Sequence, residues 1–139
     1  MPLDPEKLGL TEEQDLLADH RLAEAVALFN SGEWYACHDY FEALWHETAG
    51  GMRPVLQGIL QIAVAELHLE QGNIRGATIL MGEGVGRLKA CPPDALNLDL
   101  VALSKCAMQR LQALQYQKSL EGLELPKLLE VQSFNRYVN

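Results

Sequence analysis

A chain of 139 residues, 48% hydrophobic and 22% charged, has the composition of a folded domain with one hydrophobic core, which argues against a disordered or fibrous protein. Its 11 basic and 19 acidic side chains leave a formal charge of −8, and Lys and Arg are scattered singly from Lys7 to Arg136, a poor match for phosphate backbones or anionic lipid. No apolar run approaches the roughly 18 residues of a membrane span, and MPLDPEKLGL has neither a basic start nor an apolar stretch; the expectation is a soluble cytoplasmic protein that binds neither nucleic acid nor membrane.

Periodicity along the chain is helical almost throughout. TEEQ at 11–14 fits a capping box, and Leu22, Val26 and Phe29 continue one apolar stripe to NSG at 30–32, which reads as a first helix. A second helix is expected over about 33–48, ending at Gly50 and Gly51, and a third from Arg53-Pro54 to Gly72, with proline in its first turn and glycine at its stop. VLQGILQIAVAELHL, inside the third, is apolar over much of its circumference, as a central helix is. A fourth helix over about 74–89 ends before CPP at 91–93, because proline clashes with a continuing helix. A fifth over about 98–116 carries Leu100, Leu103, Ala107, Leu111 and Leu114 at three- and four-residue steps.

These elements predict an all-α, compact, irregular bundle of five or six helices forming one domain over 1–139, with its core over about 11–117 and a tail, 118–139, packed across it. No linker splits the chain, and no internal repeat stands out. Cys37, Cys91 and Cys106 form no CxxC pair and read as small reduced thiols. GEGVG at 82–86 follows no strand, so its glycines point to close helix packing and not to a phosphate loop. HExxH and GxSxG are absent, and no histidine has a glutamate three residues before it.

The second helix carries the densest chemistry. At about 100° per residue, with His38 at zero, Trp45 falls near −20°, Glu42 near +40°, Trp34 near −40°, Phe41 near −60° and Tyr35 near +60°. On that count His38 and Glu42 lie within the apolar stripe that the helix buries, where polar groups must be satisfied at a cost of about 1–3 kcal/mol each if they are not. They then either bond to each other and fix the helix register or line a cavity that takes a polar ligand or a metal. On the third helix Gln57, Gln61 and His68 form a polar stripe beside Gly58 and Ala65, facing either the second helix or solvent.

FNSGEWYACHDYFEALW followed by LQGILQIAVAELHLEQGNIRGA resembles the family known as domain of unknown function 309, small all-helical proteins mainly of bacteria and plastids. The family pattern matches Asn30, Gly32, Tyr35, His38, Glu42, Trp45, Gln57, Gly58, Gln61, His68, Gly72, Asn73, Gly76 and Ala77, over about 29–80. Asp39 stands where the family usually has Glu, about 100° off the His38 stripe. The resemblance implies that His38 and Glu42 face Gln57, Gln61 and His68 across a helix interface, but it implies no activity.

Two functional expectations follow. In one, His38, Glu42, Trp45, Gln57, Gln61 and His68 bind a ligand, with His38, Glu42 and His68 as candidate ligands of a divalent metal and His38 or Glu42 as a general base. In the other, NSGEWYACHDYFEALWHE, which also resembles one hairpin arm of a tetratricopeptide unit, belongs to a non-catalytic module for a protein partner or a second copy. Whether the protein is an enzyme is left open by the residues.

Overall fold

The computed structural model describes residues 10–131. Among them six α-helices follow one another: α1 (Leu10–Ala18), α2 (His20–Asn30), α3 (Trp34–Glu47), α4 (Arg53–Glu70), α5 (Ile74–Lys89) and α6 (Leu100–Gln115), with a short 3₁₀ turn at Ala95–Asn97 before α6. The all-α expectation holds. Beyond Val131 the tail aromatics Phe134 and Tyr137 lie outside the described residues.

The expected first helix is two helices. Asp19 breaks it: its backbone is extended at φ −82°, ψ 119°, and its carboxylate accepts the Arg21 N–H, so α2 starts afresh with an aspartate cap. Thr11 lies inside α1 and not at its cap, so TEEQ does not form the expected capping box, and Glu12 reaches across the fold, accepting the N–H groups of Gly50 and Met52 at 2.7 Å each. Those donors precede α4, so one side chain from α1 fixes the approach to the central helix.

α4 is central because its apolar residues surround most of it: Val55, Leu56, Ile59, Ile62, Ala63 and Ala65 are all fully buried. It packs against α3 on one side and α5 on the other. The α5 contact is close because two glycines meet there. A Cβ on Gly84 would sit 3.0 Å from the Gly58 carbonyl oxygen, and one on Gly58 would sit 2.7 Å from Leu88 Cδ2. The glycines at 82–86 therefore include one that helix packing requires, as the sequence suggested.

A repeat emerges at the helix ends. After α2, Ser31 N–H donates to the Ala27 carbonyl, Gly32 to Phe29 and Glu33 to Leu28, with Gly32 at φ +75°. After α4 the same three bonds recur, Gln71 to Leu67, Gly72 to Leu69 and Asn73 to His68, with Gly72 at φ +77°. This is the glycine-terminated helix stop in which a left-handed residue lets the chain reverse and satisfies the last carbonyls. The burial pattern repeats with the turn: Ala25 and Ala65, Cys37 and Ala77, Phe41 and Met81 are related by the Gly32-to-Gly72 step and all are fully buried. Thus α2–α3 and α4–α5 are two helical hairpins with the same turn and several buried positions in common, a likeness the sequence did not bring out, while Trp34 is buried and its counterpart Ile74 is exposed. α6 ends on a third such turn, Tyr116 to Gln112, Gln117 to Leu114 and Lys118 to Ala113, with Gln117 at φ 54°.

Among the described residues no second helix follows that third turn. Residues 118–131, the described part of the expected tail over 118–139, run back along α6 as an extended strap. Arg110 and Cys106 donate to the Glu124 carbonyl, at 3.2 and 3.4 Å. Further on, Asn30 donates to the Leu128 carbonyl at 2.8 Å and accepts the Leu128 N–H at 2.6 Å, pairing with strap backbone as a neighbouring strand would.

Candidate functional site

α3 buries Trp34, Cys37, Phe41, Leu44 and, just past its end, Thr48. Counted at about 100° per residue, that face is centred about 80° from His38. His38 and Glu42 therefore stand on its flank and not in its middle: their side chains are 31% and 43% exposed, and Tyr35, counted into the same face from sequence, is 69% exposed. The expected face was displaced because the two buried residues furthest from His38, Cys37 and Leu44, were left out of it. Burying Phe29 edge-on against both Trp34 and Phe41, at 5.1 and 6.4 Å between centroids, holds α3 in that rotation.

On the flank the polar side chains bond along the helix. His38 Nε2 lies 2.7 Å from a Glu42 oxygen, the other Glu42 oxygen lies 3.6 Å from His46 Nε2, and His38 Nδ1 lies 3.2 Å from Asp39. The four-residue spacing stacks these groups one turn apart on one helix face. His38 and Glu42 thus meet, with water or a ligand free to approach from outside.

Trp45 continues this flank toward the start of α4. The Arg53 guanidinium lies 4.2 Å from the centre of its ring and donates to the carbonyls of Trp45 and Thr48, closing the exposed end of α3. The Trp45 indole N–H is buried without a hydrogen-bond partner among the described residues. Its desolvation is opposed by ring burial and the cation above the ring.

The α4 stripe turns the other way. Gln61 accepts from Arg87 at 3.2 Å and donates to Glu83 at 3.1 Å, both on α5, and His68 Nδ1 lies 3.3 Å from the amide of Asn73, the cap of α5. Gln57 is half-buried on the same stripe. Gln61 and His68 therefore bind α4 to α5 through their side chains, while His38 and Glu42 bond within α3. Among the described residues no group of three or more His, Cys, Asp or Glu side chains is arranged to hold a metal ion.

Two polar clusters went unread in the sequence. Glu66 and Arg110 form a two-pronged ion pair at 2.6 and 2.7 Å with side chains only 3% and 6% exposed, joining α4 to α6. Its signal was available: Glu66 falls among Ile59, Ile62 and Ala63, and Arg110 among Leu103, Ala107 and Leu114, each a lone charge on a buried face. The second is Arg21, which donates to Asp19 and to both oxygens of Glu47, at the wall of a cleft of about 430 Å³ between α1 and the end of α3. Hydrogen bonds from Arg21 hold Asp19 down to about 2 and Glu47 below the usual carboxylate range.

Burial pushes the Cys37 thiol up to about 12 and raises Cys91 and Cys106 as well, which favours the protonated thiols. Only Cys37 is fully buried; the other two are half-buried.

Fold and site together define a small all-α protein of tandem helical hairpins, with a solvent-facing His–Glu pair on one helix and a second polar stripe on the next. The family model described as domain of unknown function, DUF309, matches residues 22–80, the segment from α2 into α5 that holds both hairpin turns, so over that segment the chain is similar to the family. No curated protein matches the chain. Among the described residues no helix is long and apolar enough to cross a membrane.

Proposed function

We propose that the protein is a non-catalytic helical binding module whose hairpins present the outward flank of α3 and α4 to a protein partner. The observation that carries this reading is the pair of hairpins, α2–α3 and α4–α5, with the same three-bond turn and several buried positions in common. Stacked helical hairpins bury their inner faces against each other and leave extended outer surfaces, the usual basis of recognition in such arrays. His38, Glu42 and Trp45 form one bank of the presented surface, and Gln57, Gln61 and His68 the other. The net charge of −8 disfavours nucleic acid and so supports a protein as the partner.

A photo-crosslinking amino acid in place of Tyr35, 69% exposed beside His38, tests this in cells that make the protein. A discrete adduct above the 15.4 kDa chain is the expected outcome, absent when the same group replaces the exposed Glu24 on α2. Only uncrosslinked chain at position 35 would remove the reading.

One observation favours a second reading. The His38–Glu42 contact of 2.7 Å is a base-like pair open to solvent. A divalent metal on it would need a third ligand such as His68 drawn in on binding, because no three such side chains are arranged for a metal among the described residues. Protein loaded with zinc and dialysed into metal-free buffer would retain stoichiometric metal on this reading and lose it on Glu42→Gln; loss from the unsubstituted protein would end it.

A further inference from the structure

We propose that the apolar groove between the end of α5 and the first half of α6 docks one amphipathic helix of a partner protein, with carboxylates flanking the apolar stripe of that helix. The proposal rests on the binding-module reading and adds where the module binds and by what chemistry.

The groove has a volume of about 540 Å³ and is walled by Leu88, Leu100, Val101 and Met108, with Lys89 and Lys105 also on its lining. On α6, Val101, Ser104, Lys105 and Met108 fall within about 100° of one another, an apolar stripe with a cation at its edge. Val101 is 48% exposed, which places a β-branched apolar side chain in water. A helix laid in such a trough buries that side chain, and the thioether of Met108 adapts to the side chains it meets.

Along α6 the described strap bonds to Cys106 and Arg110, about 140° and 180° around the helix from Val101, and it reaches the residues just before the helix at Asn97 and Asp99.

Charge selects the occupant. Among the described residues no carboxylate pairs with Lys89 or Lys105, although acidic side chains outnumber basic ones in the chain by 19 to 11. A second copy docked by two-fold symmetry would set these lysines against the same lysines, which is repulsive. An acidic helix satisfies both.

The test uses the full chain and a fluorescein-labelled synthetic peptide of this protein's own residues 33–48 carrying Cys37→Ala. That segment has Glu33, Asp39, Glu42 and Glu47, no Lys or Arg, and Trp34, Phe41 and Leu44 on one face, the chemistry inferred for the occupant. The peptide is expected to bind, with ¹⁵N shift changes at residues 88–93 and 100–108. Val101→Glu weakens it at least tenfold, and Lys105→Glu weakens it severalfold while flattening its salt dependence. A peptide with its four carboxylates replaced by lysine does not compete. Both substituted positions are exposed, so unchanged thermal melting verifies that each variant keeps the fold. No binding at millimolar peptide, equal affinity for the variants, or shifts centred on α2 and α4, where the peptide would displace α3, overturns the proposal. If the groove result is negative while position 35 still crosslinks, the groove assignment alone falls; if both are negative, the binding-module reading falls with it.

Discussion

His38 and Glu42 show how a few tens of degrees decide what a polar pair is for. In the middle of a buried face they would be an obligatory structural bond; on the flank, 31% and 43% exposed, they contribute little to folding. Exposed pairs one helical turn apart are worth about 0.5 kcal/mol or less. His38→Ala and Glu42→Gln should therefore each leave the urea midpoint nearly unchanged, and a loss of several kcal/mol in either would return the pair to the core. Asp19 is the opposite case. The Arg21 hydrogen bonds hold its carboxyl at about 2, below the ordinary aspartate value of about 3.9. A depressed folded-state value gives stability that is present above the unfolded value and lost as pH falls through the folded one. Stability should decline between about pH 4 and pH 2, and Asp19→Asn should flatten that decline when denaturation is followed across the window.

Between elements, the two contacts that hold α4 in place differ in kind. The α4–α5 crossing depends on missing side chains. Gly84→Ala drives a Cβ to 2.9 Å from Ile62 and 3.0 Å from the Gly58 carbonyl oxygen, and overpacking of this sort costs about 1–3 kcal/mol. Gly86→Ala, on the same helix with nothing within 4 Å of the new Cβ, should stabilise by up to about 1 kcal/mol. Chemical denaturation of the two variants gives opposite signs if the crossing is as described, and equal effects if it is not. The α4–α6 contact depends on a buried ion pair. Glu66→Ala leaves Arg110 charged and unpaired at 6% exposure, a loss of about 3–5 kcal/mol, whereas Glu66→Leu with Arg110→Met should come close to the parent.

Element boundaries were largely legible because they are written in local chemistry. Gly32, Gly72, Pro54 and the CPP run each act within a turn of where they stand, and α3, α4 and α5 fall at or within a residue or two of their expected ends. The Asp19 break was missed because an aspartate cap inside a continuous apolar stripe looks like an ordinary polar residue. The site was less legible. Helical angles correctly put Gln57, Gln61 and His68 on one stripe, but which neighbour a stripe faces is a tertiary matter, decided here by the Gly58–Gly84 approach that brings α5 and its Arg87 within reach of Gln61. The likeness of the two hairpins escaped notice because they share burial and a turn more than residue identity: Cys37 corresponds to Ala77 and Phe41 to Met81.

Over the whole molecule, two hairpins and a capping strap make a body whose interior is closed and whose chemistry lies on its outer surfaces. Thiol reactivity checks the first half of that statement: with Cys37 fully buried and pushed up to about 12, native protein at pH 8 should show at most two cysteines reacting with a thiol reagent, and the third only on unfolding. The second half is tested most directly by amide hydrogen exchange, comparing the purified chain with the same labelled chain in an extract of its own cells. A binding module should gain protection in the extract over residues 33–47 and 57–68, and over 88–108 if the groove is occupied, with α1 unchanged. Identical exchange throughout, in extract and in buffer, would contradict it.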